Sequence, residues 1–533
     1  MNKLKKIGIF FIIIYLLLVL PFFTLQTFND EYEHAATGWL IINNLLPYKD
    51  FFSHHGPLPL FLGVLGYILP GDPMLVLRFW SLLFQLFIWM FLFKQTNKKI
   101  HSAIFLTMVV TAFATPTFLF QMALANIFFN FGILSLVILL FHRYLYKSPK
   151  PEIIIKWLGV VSVLCLWSSI ATVVPIIIIG FLLFIVLYKE KSLPSIKKMV
   201  KYIGLTLLSF LIFPVYFFIK GELSTFIWSV FTYNTNYYYP LRLANGELEL
   251  KYGSLFRIIN QFYLITTTQI EVFFTSTSQY IQAVIGGRVL VGNSVDLEQY
   301  YNLITTHYWN QINFIQTLIA VLFLLLLFSW VVLKKYSLVV PSIIIGIGLF
   351  FRSNETFHLG TIFLVIIFGL SWQLIESWRA NRKLLTFLIG AGYIYTFLVL
   401  KTNWLEVLKN KPSYFLNRHV QAAQIMNQFG NPEDKIMVLH PNMIYYSISK
   451  RLPSCKYHYY LPWLHQTEKI RTEVENCLKK PDTKFVIIPD KNQPEIQDLW
   501  PIIENNFVPT TEGNQVFVRK DIKTDIANPH KSN

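Results

Sequence analysis

The sequence predicts an α-helical polytopic membrane protein of about eleven transmembrane helices, with a small α/β domain near its C-terminal end. Three observations predict this. Apolar runs near 20 residues, the length that crosses about 30 Å of hydrocarbon, recur along the chain. Hydrophobic residues fill 54% of the 533 positions and charged residues only 14%, with a mean hydropathy of +0.47, too little polar surface for a soluble chain of this length. Basic residues gather in short clusters between the apolar runs.

The expected spans are 7–27, 73–93, 101–121, 124–145, 153–170, 171–188, 201–219, 311–333, 337–352, 358–376 and 384–401. With the N-terminus inside, the inside loops are 94–100, 142–152, 189–200, 334–336 and 377–383. Each is basic: Lys94, Lys98 and Lys99; Arg143, Lys147 and Lys150; Lys189, Lys191, Lys197 and Lys198; Lys334 and Lys335; Arg379, Arg382 and Lys383. An odd span count puts the C-terminus outside. The count hinges on 153–188, one apolar run broken only by Trp167-Ser168-Ser169 and Pro175, read as two spans with a tight outside turn. A single long helix there would put every later charge on the wrong side.

Residues 1–27 resemble a signal peptide, with Lys3, Lys5 and Lys6 before an apolar core. That core is long, from Ile7 to Leu25, and no small-x-small cleavage site follows, so an uncleaved first helix is expected. The net charge of +17 sits in scattered loop clusters, so nucleic acid is excluded as a partner.

Three regions then fall outside: 28–72, 220–310 and everything after about 403. Residues 57–70 are apolar but too short to span, and are expected along the membrane surface. The last region changes character. Lys435–His440 and Lys484–Pro489 read as short buried strands, 466–480 as a helix between them, and Phe507–Lys520 as a hairpin around Glu512-Gly513-Asn514. The domains are therefore 1–402 in the membrane, 403–520 as an extracytoplasmic α/β domain and 521–533 as a disordered tail. Cys165 lies in an apolar span. Cys455 and Cys477 lie in the outer domain, where a disulfide and two free thiols both stay open.

The first outside loop begins Asn29-Asp30-Glu31-Tyr32-Glu33-His34. Tyr32, Ala35, Ala36, Trp39 and Leu40 follow at helical spacing, which predicts an amphipathic interfacial helix with Asp30 and His34 one turn apart. Acids at a helix start suit its dipole, and Asn29 can cap it, so a purely structural role stands beside a functional one. Next comes Pro47-Tyr48-Lys49-Asp50-Phe51-Phe52-Ser53-His54-His55-Gly56-Pro57, with two adjacent histidines before Gly-Pro at the membrane surface. A turn with solvated histidines is the plain alternative.

These residues resemble the first luminal loop of the GT-C glycosyltransferases, which include the bacterial aminoarabinose transferase and the protein O-mannosyltransferases. The resemblance lies in the span followed by Asp30-Glu31, the helix with Ala, Leu46-Pro47-Tyr48-x-Asp50-Phe51 and His54-His55-Gly56-Pro57. Asp72-Pro73 through Val76-Leu77-Arg78-Phe79 also fits the family's second span. The likeness is specific over about 28–80 and architectural beyond. It implies that a sugar moves from a polyprenyl-phosphate carrier to an acceptor (glycan, lipid or protein) on the outer side of the cell membrane. It implies Asp30 as the catalytic residue, taking the acceptor's proton as it attacks C1. Glu31 then helps, holds a metal, or is a solvated acid. His34, Asp50, His54, His55 and Arg78 are the expected substrate contacts, with the histidines and Arg78 toward the leaving phosphate. For Arg78 a snorkelling anchor is the alternative. The family has Lys-Pro in some relatives where this chain has His-Gly-Pro, which leaves open which histidine serves.

A second cluster lies between spans nine and ten, Phe351-Arg352-Ser353-Asn354-Glu355-Thr356-Phe357-His358. Arg352 and His358 at membrane depth are costly and are expected to hold phosphate or sugar; an Arg352–Glu355 ion pair is the alternative. Asn126 opens the fourth span where some relatives have an acid, so the cofactor stays unknown, a divalent metal being open. Tyr233, Tyr237, Tyr238, Tyr239, Tyr300, Tyr301, Tyr308 and Trp309 in 220–310 form an aromatic belt or a sugar-stacking surface. Two rival functions remain: a polysaccharide polymerase or ligase, and a transporter. Transporters place ionisable groups near the midplane on broken helices, whereas here acids and histidines sit in loops and span ends.

Overall fold

The computed structural model describes residues 3–23, 29–120, 122, 126–169, 172–238, 318–350, 356–410, 417–440, 442–460, 462–488, 494–510 and 515–522. The chain divides into two compact units. One is Met1–Leu25, Arg78–Ser209 and Lys251–Pro412; the other is Gln26–Leu77, Phe210–Leu250 and Ser413–Asn533.

Among the described residues, seven helices are long and apolar enough to cross a membrane by length and composition. They are Pro73–Gln95, Lys98–Phe118, Asn126–Tyr146, Pro151–Ser168, Ile196–Ile219, Leu359–Arg379 and Lys383–Lys401. Five shorter apolar helices accompany them: Ile9–Phe22, Pro57–Tyr67, Val173–Lys189, Leu318–Val332 and Tyr336–Gly346. Eleven of these coincide with the expected spans, and the twelfth, Pro57–Tyr67, is the run read as too short to cross.

Local chemistry sets the helix ends. Asn97 caps Lys98–Phe118 by accepting from the Lys99 N–H, and Leu119 stops it in the left-handed region at φ 56°. The apolar stretch 153–188 breaks where the sequence reading needs it to. Ser169 is extended, and the Thr172 hydroxyl donates to its carbonyl at 2.8 Å, closing the turn. Glu190, just past the second helix, pairs with Arg143 and Lys147, just before the first. The two helices therefore form a hairpin that returns to the end it left.

Polar contacts connect four of the basic loops of the first unit with one another or with the residues that flank the fifth, 334–336. His142 Nε2 accepts from the Asn97 N–H at 3.2 Å, and Arg143 meets Glu190 at 2.7 Å. The Tyr144 hydroxyl bonds to Ser337, and Arg382 donates to the Val332 carbonyl. The loops expected to share one face of the membrane thus share one end of this unit. Inside it, apolar helices pack through a continuous core, and polar side chains bond either backbone carbonyls, as Thr107 does to that of Ala103 at 2.7 Å, or one another, as Trp157 does to Ser135 Oγ at 2.7 Å.

The second unit is built on a four-stranded sheet of order β1-β2-β4-β3. Strands β1 (Lys435–Val438) and β2 (Thr483–Ile487) are parallel, joined through the helix Glu468–Lys479. Strands β3 (Phe507–Pro509) and β4 (Val516–Arg519) form an antiparallel hairpin, with β4 also antiparallel to β2. The hairpin tip at Glu512-Gly513-Asn514 and the tail from 523 lie outside the described residues. Cys455 and Cys477 form a disulfide, with Cα atoms 5.8 Å apart, and Cys165 is a buried free thiol. The fully buried Arg451 donates to the carbonyls of Met426 (3.0 Å), Gly430 (3.2 Å), Asn431 and Asp434 (3.3 Å), and lies over the Phe485 ring. One guanidinium so satisfies the chain entering β1.

Ala36, Phe52 and Tyr233, from the two loops, share this unit's core with residues of the sheet. The helix Asn29–Ile42 packs on Pro57–Gly63 through glycine contacts. A Cβ on Gly38 would lie 2.2 Å from the Gly63 carbonyl oxygen, and one on Gly63 would lie 2.0 Å from that of His34. Only two glycines allow backbones this close.

Candidate functional site

The site lies within the second unit, where the segment after the amphipathic helix folds back onto it. Leu46-Pro47-Tyr48 turns tightly: the Asp50 carboxylate accepts from the Leu46 N–H at 2.7 Å, and the Tyr48 N–H donates to the Phe51 carbonyl at 2.8 Å. Tyr48 adopts φ 68°, rare for an aromatic residue, and its buried ring packs on Phe217 and Phe226. Phe52 is then pinned. Its N–H donates to the Lys456 carbonyl at 2.8 Å, and its ring meets Trp228, Tyr233, Tyr457 and Tyr459. This burial aims the next three residues, Ser53, His54 and His55, at the helix.

There they meet Glu33. His55 Nε2 lies 3.1 Å from Glu33 Oε2, and the Ser53 hydroxyl donates to Glu33 Oε1 at 2.7 Å. The His55 N–H donates to Ser53 Oγ at 3.2 Å, and Tyr48 OH donates to the His55 carbonyl at 2.9 Å. The His54 ring lies against that of His55 at a tilt of 35°, with centroids 4.2 Å apart, and Tyr238 lies 4.7 Å from His54 on the same measure. His54 Nδ1 is 3.3 Å from the Tyr459 hydroxyl, and Asn234 Nδ2 donates to the His54 carbonyl at 2.8 Å. Asn234 and Tyr238 open and close the wider helical turn Asn234–Tyr238, which follows a second such turn at Trp228–Thr232, a geometry that often marks functional sites.

Electrostatics fix the charges. Burial alone would lift the Glu33 carboxyl, but His55, His54 and Ser53 together outweigh it and hold Glu33 down at about 2. Burial would lower His55, but Glu33, and after it Asp30, raise it to about 9. Near neutral pH the site therefore holds an imidazolium and a carboxylate. His458, next to Tyr459, is driven down to about 4 by burial and stays neutral. Burial, then Glu33, pushes the Tyr459 hydroxyl well above its usual range, so it remains a donor.

The acids of the helix differ in access. Glu31 and Glu33 are buried, whereas Asp30 is half-buried. His34 is buried with its ring 6.3 Å from that of His55. The structure thus brings His34, His54 and His55 together with Glu33, and places Asp30 within electrostatic reach of His55. Asp50 instead closes a turn. Arg78 belongs to the first unit, where its fully buried guanidinium donates to the Phe23 carbonyl. Arg352 lies outside the described residues, and His358 falls in the first turn of the helix Thr356–Arg379. Of the aromatic residues expected to form the belt or stacking surface, Tyr233, Tyr237 and Tyr238 are described; Tyr239, Tyr300, Tyr301, Tyr308 and Trp309 lie outside the described residues. Among the described residues, no three His, Cys, Asp or Glu are grouped to hold a metal ion.

Sequence reasoning missed Glu33, Ser53, Asn234 and Tyr459. Glu33 had a signal, since it sits three residues from Asp30 and so shares its helix face. Tyr459 had another, the run Tyr457-His458-Tyr459-Tyr460 inside an otherwise polar region.

Helices, composition and site define a multi-pass membrane protein that carries a histidine–carboxylate cluster in a folded loop unit. No protein-family model matches the chain, and no curated protein matches it. Among solved structures it is similar to the crystal structure of the Archaeoglobus fulgidus oligosaccharyltransferase in complex with zinc and sulfate. The TM-score is 0.40 and the identity 12%, with 94% of this chain and 71% of that chain covered. No residue role is carried across that likeness.

Proposed function

We propose that this protein is a glycosyltransferase that moves a sugar from a polyprenyl-phosphate donor to an acceptor on the outer side of the membrane. The observation that carries the proposal is the ion pair of His55 with Glu33, with Asp30 close enough to act on the same imidazole. A sugar phosphate needs a cation for its leaving group and a carboxylate for the incoming hydroxyl. His55 supplies the first, held protonated by Glu33. Asp30 supplies the second, as the more accessible acid of the helix, with Glu31 as the buried second acid of the pair.

In this mechanism the Asp30 carboxylate takes the acceptor's hydroxyl proton as that oxygen bonds to C1 of the sugar. The C1–O bond to phosphate breaks, and the electron pair leaves with polyprenyl phosphate. His55 meets the charge that develops there, and His54, between Tyr238 and Tyr459, offers a second contact. Tyr238 offers a face on which a sugar can stack.

The proposal includes orientation: N-terminus in the cytoplasm, first loop and C-terminal region outside. The basic loops at one end of the first unit support it. A reporter fused after Thr402 should be labelled from the outer face; cytoplasmic labelling overturns the orientation. The test of function is release of lipid phosphate by the purified protein from radiolabelled polyprenyl-phosphate sugars. Turnover with one carrier and an acceptor is the expected result. No turnover with any carrier counts against the proposal and favours a transporter.

A further inference from the structure

Between helices of the first unit lies a cavity of about 310 Å³, at the low end of the 300–1,000 Å³ typical of small-molecule sites. Its walls come from Asn126–Tyr146, Val173–Lys189, Leu318–Val332, Val339–Phe350 and Thr356–Arg379. Most of the wall is apolar, as at Leu182, Phe323, Ile345 and Ile366. The ionisable lining residues gather at one end: Tyr144, Lys147, Lys189 and Glu190. Along Asn126–Tyr146 and its extension, the lining runs from Val137 to Lys147, roughly 15 Å at 1.5 Å per residue. That is about half of a 30 Å hydrocarbon core, the depth of one leaflet.

The polar end is where the basic loops converge. Glu190 is shared by Arg143 at 2.7 Å and Lys147 at 2.8 Å. Lys189 adds a third, exposed cation, so this rim carries two more positive charges than negative ones. An occupant must match an apolar slot one leaflet deep, closed by a cationic rim at the headgroup level. Small residues keep the slot open. Ser342 lines it, and a Cβ on Gly346 or Gly369 would come within 2.7 Å of the Phe323 ring or 2.6 Å of Leu326.

We propose that this cavity is a binding site for one anionic phospholipid, with an acyl chain between the helices and its phosphate beside Lys147 and Lys189. Basic pockets between transmembrane helices recognise anionic headgroups in this way. A zwitterionic lipid would bring its own cation against an already positive rim. The site is separate from the candidate sugar-transfer site and does not rest on that function.

The test is native mass spectrometry of the full-length protein in non-ionic detergent, titrated with phosphatidylglycerol or phosphatidylcholine of equal chain length. The wild type is expected to retain one phosphatidylglycerol with a preference of about tenfold or more. The K147E/K189E double variant should lose the preference, K147R/K189R should keep it, and Ser342→Phe should lower retention by filling the slot. Equal binding of both lipids to the wild type overturns the proposal. So does an unchanged preference in K147E/K189E, or wild-type retention in Ser342→Phe. If K147E/K189E fails to fold, K147Q/K189Q decides by the same criterion.

Discussion

Replacing Glu33 by Gln removes the partner that keeps His55 charged. In the wild type His55 rests at about 9, against its ordinary value of 6.5. The side chain is only 22% exposed, so that gap converts to about 3 kcal/mol of stabilisation, as an order of magnitude. The sign follows from the direction. The His55 contribution is complete below pH 6.5 and is lost as pH rises through about 9. The Glu33 contribution is complete above pH 4.5 and is lost as pH falls through about 2. Wild-type stability should therefore decline from neutral pH toward about pH 9. In Glu33→Gln the largest remaining influence on His55 is burial, which lowers it, because Asp30 contributes least. A histidine buried neutral reverses the slope, so stability should rise from about pH 5 to pH 7 and then level. Thermal unfolding of the detergent-solubilised protein, followed by tryptophan fluorescence at fixed salt across that range, reads both slopes. Parallel pH profiles for the two proteins would refute the ion pair.

Three further outcomes test the framework around the site. Gly38→Ala places a methyl 2.2 Å from the Gly63 carbonyl oxygen, where only backbone can move, so it should cost about 1–3 kcal/mol in the same unfolding assay; Gly71→Ala, with open space around its Cβ but a φ of +126°, gives a comparison in which only backbone strain acts. Arg451→Met leaves four carbonyls without their donor and should cost about 3 kcal/mol or more by limited proteolysis or melting. Cys455→Ser opens a loop of 22 residues and should lower stability by about 3 kcal/mol, whereas Cys165→Ser should leave the non-reduced electrophoretic mobility unchanged.

Much of the fold is written in local pattern. Apolar length marks the helices, and Ser169 with Thr172 supplies the break in 153–188 that composition only hinted at. Strand-length apolar runs with a helix between them found β1 and β2. The site was legible only in part. Its loop stands out by residue type, which is why Asp30, His54 and His55 drew notice. The partner of His55 did not, because a contact from Glu33 to a residue 22 positions later depends on how the intervening segment closes, and no local period encodes that. Tyr459 lies 405 residues from His54, beyond any spacing rule. Asp50 belongs to the Leu-Pro-Tyr-x-Asp-Phe pattern that carries the resemblance, yet a carboxylate that accepts from a backbone N–H four residues earlier is closing a turn. Likewise Arg78 reads as a surface cation, while folding buries it against the Phe23 carbonyl.

The catalytic role proposed for Asp30 is tested most directly by single-turnover transfer from a radiolabelled polyprenyl-phosphate sugar, comparing wild type with Asp30→Asn. Asparagine keeps the shape and removes the base. The predicted result is a rate lower by about 10²–10⁴, with donor binding and the melting profile retained. Equal rates for the two proteins would contradict it.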